Sequence, residues 1–151
     1  MDTDFRSQAL AFLKAHQTGV LATANASGPH ARTVYFASDK AFNIYFVTHA
    51  DTRKWADLEA DPHAAFVVSH EKVPQTLQLE GTVTNLTKTA LIDPALVDLT
   101  LVLLSNTNYF APLTRFNPSD MVFLKLTPTW IRWGDFTQGL GTATVLREIT
   151  A

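Results

Sequence analysis

The 151-residue chain contains no cysteine. Disulfides, thiolate zinc sites, iron–sulfur clusters and cysteine nucleophiles are therefore excluded. It also lacks any excess of one charge. Charged residues make up 17 % and the formal net charge is -2, so no bulk field favours nucleic acid or an anionic membrane, and any anion site must be local. Long apolar runs are absent too. "LTLVLLS", near Leu99 to Ser105, is too short to cross a bilayer, and the start "MDTDFRSQALAFLKAH" is acidic and interrupted by Arg6, Gln8 and Lys14, unlike a signal peptide. The default reading is a cytoplasmic protein. There is no Walker A loop, G-x-G-x-x-G, H-E-x-x-H or G-x-S-x-G, and no Ser, His and Asp set suggests a triad. The five histidines, at 16, 30, 49, 63 and 70, are scattered without helical ligand spacing, so no metal site is expected.

What is present is core material. Hydrophobic residues reach 46 %, enough for one domain, read here as residues 1–151 without a linker, repeat or low-complexity tract. "DFRSQALAFLKAH" puts Phe5, Ala9, Leu10, Phe12 and Leu13 on one side of a helix. Strands follow. "TGVLATANASGPHARTVYFA" is two extended runs around the turn "NASGPH", and "SDKA" makes the next turn. "FNIYFVT" alternates Phe42, Ile44 and Phe46 against Asn43, Tyr45 and Val47. "HAAFVVSH" is a short strand with apolar residues on both faces. "PQTLQLEGTVTNLT" turns Leu77, Leu79 and Val83 inward and Thr76, Gln78, Glu80, Thr82 and Thr84 outward, with Gly81 marking a bulge or bend. "KTALIDPALVDLTLVLLS" reads as helical with a break at Pro94, residues 106–120 as a loop, and "MVFLKLTPTWIRWGDF" as a long last strand bent at Pro128. About six strands joined by short turns predict an antiparallel, nearly closed small barrel, which removes exposed edges.

Between two of these strands lies "THADTRKWADLEADP". Asp51 or Thr52 caps a short helix, Trp55 and Leu58 share a face, and Asp61-Pro62 stops the run. Arg53 and Lys54 open it, although the amino end of a helix is already positive and capping favours carboxylates there. A solvated surface pair is one reading. The other is an anion site. If "RTVYFA" and "FNIYFVT" form a hairpin, Arg32 comes beside Thr48 and the helix start, and three cations, a hydroxyl and free N–H groups converge as a phosphate cradle.

"TGVLAT", "HARTVYFA", "FNIYFVTHADTRKWADLEADPHAAFVV" and "LQLEGTVTNL", in register over residues 18–86, resemble the pyridoxamine 5'-phosphate oxidase-like family of FMN-binding split barrels. "LKLTPTWIRW" adds weaker support. The resemblance implies a mainly β fold, a six-stranded antiparallel split β-barrel with flanking helices, and a homodimer with FMN at the interface. It places Arg32, Thr33, Val34 and Tyr35 on the strand beside the flavin, with Arg32 directed to the phosphate. Val47 and Thr48 match flavin contacts at the end of the next strand, and Arg53 and Lys54 match the phosphate-binding pair. Thr76 stands where the oxidases carry a glutamine from the partner subunit, and Trp130 and Arg132 where the last strand approaches the isoalloxazine ring. Two departures accompany this. Ala37 replaces the lysine that holds the vitamin B6 phosphate, and the tail "TQGLGTATVLREITA" lacks the Arg-x-His motif that clamps the same substrate. The resemblance thus implies an FMN-dependent oxidoreductase using another small molecule or NAD(P)H. Alternatives within the fold are a deazaflavin (F420) protein, a haem protein with His49 or His70 as ligand, and a flavin-binding or stress-linked protein without turnover.

Overall fold

Apolar spacing in the first helix decides what packs against the sheet. The computed structural model describes residues 2–88, 94, 97–99, 118–138 and 145–150. In α1 (Asp2–Lys14) the buried Ala9, Phe12 and Leu13 recur at helical spacing, and Phe5 and Leu10 pack at their margin. Phe12 lies against Trp133 with ring centroids 4.9 Å apart.

The strands are β1 (Thr18–Asn25), β2 (Gly28–Tyr35), β3 (Ala37–Ser38), β4 (Ile44–His49), β5 (His63–Ser69), β6 (Gln75–Asn85), β7 (Met121–Asp135) and β8 (Leu146–Ile149); α2 (Arg53–Ala60) joins β4 to β5. Every pairing is antiparallel, in the order β2-β1-β5-β6-β7-β4-β3, with β8 on β7. The two ends of this ladder, β2 and β3, are separated by Phe36 alone. Chain continuity therefore curls the sheet into a split barrel. Six long strands are those the sequence pattern predicts; β3 and β8 are short additions.

The expected hairpin between "RTVYFA" and "FNIYFVT" forms only at its turn. Ala37 and Ser38 pair with Tyr45 and Ile44. The rest of β2 is paired along its length with β1, and the Phe36 amide bonds to Gln17 O. β4 meanwhile gives its other edge to β7 over six residues. The strands diverge because each has a better-matched partner, and the seam between β2 and β4 is the split.

The barrel interior is filled by Leu21, Phe36, Phe42, Ile44, Phe46, Phe66, Leu77, Leu79, Leu124, Leu126, Ile131 and Trp133, all essentially inaccessible. β4 is buried on both faces. Its Tyr45 and Val47 join Ala37 and Leu99 in a second cluster outside the barrel, edged by Tyr35, Leu86, Met121 and Phe123. Asp39 secures the preceding turn by accepting from Ala41 N, Asn43 N, Asn43 Nδ2 and the Tyr45 hydroxyl. Those bonds hold Phe42 at φ 63, a left-handed conformation uncommon for a residue of its bulk. Pro94 and Val97–Leu99 are helical; the rest of the 91–117 stretch and residues 139–144 lie outside the described residues.

Gly81 is required by close approach. The β6–β7 register shifts between Glu80 and Gly81, opposite Pro128, where the sequence predicted a bend. A Cβ on Gly81 would stand 2.0 Å from Thr127 O. Backbone cannot give way as a flexible side chain can, so Gly81→Ala is expected to cost roughly 1–3 kcal/mol of unfolding free energy, read by urea denaturation.

Candidate cofactor-binding site

α2 begins at the seam. Thr52 is its N-cap, extended at φ -79, ψ 148, and its hydroxyl oxygen accepts from Trp55 N at 3.3 Å. The same hydroxyl spends its proton on His49 O at 2.9 Å. Thr48 Oγ1, 2.8 Å away, must therefore be the donor in the bond between the two threonines. Thr48 is buried and braces the cap from β4. No acid lies in the first turn, and the amides of Arg53 and Lys54 have no intrahelical carbonyl to bond. Leu58 is buried and Trp55 packs against the core, as the helix face predicted.

One residue of α2 carries chemistry that the sequence pattern did not single out. Asp57 is buried, one turn in from the cap. Its Oδ2 accepts from Thr23 Oγ1 at 2.8 Å and from His30 Nδ1 at 2.7 Å, and Oδ1 accepts from Asn25 Nδ2 at 2.9 Å. Arg32 Nη2 lies 3.7 Å from Oδ2, while Arg32 Nη1 donates to Thr23 Oγ1 at 2.8 Å. The hydrogen bond from His30 is the largest influence holding the Asp57 carboxyl down at about 2, assisted by Thr23 and Asn25 and opposed by burial. The available signal was H-x-R on one face of a strand, with a single carboxylate three residues after Lys54 on the helix it faces.

Arg32, Arg53 and Lys54 come together although the hairpin does not. Burial lowers the Arg32 pKa, Asp57 raises it, and Arg53 lowers it again. Burial also lowers Lys54 to about 8, and the Arg32 charge adds to that. Three cations thus feel one another, with Asp57 the one carboxylate joined to them among the described residues. The group is electrostatically incomplete without an anion.

Strand alternation sorts the remaining candidates. Leu21 is opposite Arg32 and faces the interior, so Arg32 and Val34 point inward while Thr33 and Tyr35 point outward. Val34 is part of the barrel core. Tyr35 and Val47 meet in the second cluster beside the seam. Thr33, Val20, Val67, Gln78 and Arg132 form one outward row across β2, β1, β5, β6 and β7. The parallel row carries Ala22, Ala65, Glu80 and Trp130. Between them is a cleft of about 320 Å³ with a floor of small apolar side chains. Arg132 donates to Gln78 Oε1 from Nε at 3.2 Å and Nη2 at 2.8 Å, and its guanidinium stands 5.3 Å from the centre of the Trp130 ring system. Thr76 is on the same outer face, two residues along β6, and donates to Val68 O at 3.3 Å.

Residues 5–133 match the family described as Pyridoxamine 5'-phosphate oxidase. The chain belongs to that family. No curated protein sequence matches it. Among solved structures, a Clostridium acetobutylicum protein related to general stress protein 26 aligns with TM-score 0.71 and 14 % identity, over 99 % of this chain and 96 % of its own. A pyridoxamine 5'-phosphate oxidase-related, FMN-binding protein of Nostoc punctiforme aligns at 0.61 and 15 %, over 94 % and 85 %. A heme-binding protein of Mycobacterium smegmatis aligns at 0.67 and 16 %, over 97 % and 57 %. At these identities the likeness establishes the fold. This member of the pyridoxamine 5'-phosphate oxidase family places Ala37 in the second cluster, paired with Tyr45 and buried at 8 % exposure, so no phosphate-holding side chain issues from that position. No helix among the described residues is long and apolar enough to cross a membrane.

Proposed function

We propose that this protein binds FMN as a homodimer and is an FMN-dependent oxidoreductase whose small-molecule substrate is not pyridoxamine phosphate. The observation that carries the reading is the gathering of Arg32, Arg53 and Lys54 at the amino end of α2, where Lys54 is destabilised as a cation until an anion arrives. These three residues would hold the phosphate, with Thr48 fixing the cap that orders the helix end. Thr33, Tyr35 and Val47 flank the seam on its outer side and would line the path leaving it. FMN, when bound, supplies the redox chemistry; the chain supplies grip, orientation and exclusion of water.

The outer face supports the dimer. Its floor is apolar and includes Val20 at 37 % exposure, and it presents Thr76, where the family pattern brings a residue of the partner subunit to the flavin, beside Trp130 and Arg132, where that pattern brings the last strand to the ring. Arg132, gripped by Gln78, is held ready for an acceptor atom of a flat ring on Trp130. An arginine in the middle of this floor, Val67→Arg, is expected to convert the dimer to a monomer by light scattering, since an unpaired buried charge is not tolerated at an interface core.

Haem fits less well. A ligating histidine donates one ring N–H and coordinates through the other nitrogen. In His70, Nδ1 accepts from both Lys72 N and Val73 N at 3.0 Å, and in His49 it accepts from Asp51 N at 3.2 Å. Both arrangements place the proton on Nε2. The absorption spectrum of the purified protein, with the mass of the released cofactor, tests the assignment. Flavin bands with the mass of FMN are expected; a haem Soret band or the mass of a deazaflavin would overturn it.

A further inference from the structure

Asp57 is approached by two basic side chains at once. His30 Nδ1 is 2.7 Å and Arg32 Nη2 3.7 Å from the same carboxylate oxygen. β1 contributes only the uncharged Thr23 and Asn25, while α2 adds Lys54 and Arg53, whose charges act with that of Arg32. The His30 side chain is 15 % exposed, so protons reach it. We propose that Asp57 and His30 are positioning residues of the phosphate site, and that protonation of His30 decides how much of the Asp57 charge falls on Arg32. The inference rests on the phosphate reading above.

When His30 is an imidazolium, the nearer cation balances Asp57, and Arg32 acts on the ligand at full strength. When His30 is neutral, Asp57 and Arg32 largely cancel at a distance, and the cradle loses about one effective charge. Arg32 stays oriented in both states, because Thr23 and Leu21 O also receive its Nη1. By linkage, a bound dianion favours the imidazolium, so phosphate binding and the proton on His30 support each other. A carboxylate serving only to staple α2 to the β1–β2 hairpin would stabilise the fold without giving phosphate affinity this dependence.

The test compares FMN with riboflavin, which lacks the phosphate, by flavin fluorescence titration. On acidification FMN affinity is expected to gain about fivefold relative to the His30→Gln variant, with riboflavin unchanged; the second ionisation of the phosphate itself is common to both proteins and cancels in that ratio. The variant should keep the separate loss above about pH 8 that Lys54 causes. A His30→Gln slope equal to that of the native protein, or an equal slope for riboflavin, overturns the proposal. A second measurement needs no variant. The His30 imidazole resonance, titrated with and without saturating inorganic phosphate, should show a higher pKa with phosphate present, and an unmoved titration also overturns the proposal. Failure of FMN to bind would overturn the cofactor assignment instead, and the phosphate titration would still decide the role of His30.

Discussion

FMN affinity is expected to fall by about a hundred- to ten-thousandfold when Arg53 and Lys54 are both replaced by alanine, with riboflavin affinity nearly unchanged. Charge-assisted hydrogen bonds contribute about 1.5–3 kcal/mol each, and two are removed together. The two variants are neighbours sharing one ligand group, so the double change is the informative one. Neither side chain belongs to the barrel core, so the variant should still fold and unfold cooperatively. Equal losses for FMN and riboflavin would show that the helix end holds the ring or the fold rather than the phosphate.

The second large effect is on the alkaline side. Without a ligand Lys54 titrates at about 8, because burial and then Arg32 disfavour its cation. A dianionic phosphate reverses that preference, so binding above about pH 8 must draw a proton from solvent. FMN affinity should therefore be level just below pH 8 and fall by up to about tenfold per pH unit above it. If the phosphate restores the ordinary value of 10.5, the total loss is about three-hundredfold. The cofactor-free protein should behave in the opposite sense. Its folded-state pKa lies below the unfolded value, so the unfolded chain holds the extra proton between about 8 and 10.5, and stability rises with pH across that window. Lys54→Met should remove both trends, as read by fluorescence titration and by thermal unfolding against pH.

Legibility in the sequence followed the range of the interactions. The alternation in "TLQLEG" placed Leu77 and Leu79 inside and Gln78 and Glu80 outside, because one strand face meets core and the other does not. The cap and the breaker around "RKWADLEA" were local and readable. Pairing was not. "RTVYFA" and "FNIYFVT" are neighbours in sequence, yet β1 and β7 outcompete their hairpin, and nothing within either segment records that competition. The cations still converge, since α2 leaves β4 at Thr48 and packs across β1 beside Arg32. Asp57 escaped notice because an acid on a short helix reads as solvated unless the strand beneath is known to present His30 and Arg32. Likewise, Tyr45 and Val47 occupy the strand face opposite Phe46, and only the cluster with Leu99 explains why both are buried.

The row from Thr33 to Arg132 crosses four strand spacings, roughly 19 Å along the sheet. Arg32 turns inward toward α2 while Trp130 lies on the outer face several strands away, so an FMN bound as proposed would meet the cradle of one copy and the ring platform of the other. If the flavin is shared between two copies as proposed, its retention is a matter of mass action. Dilution should bleach the protein as well as dissociate it, and added FMN should push the monomer–dimer equilibrium toward assembly. Each chain on its own would keep a phosphate grip with little hold on the ring.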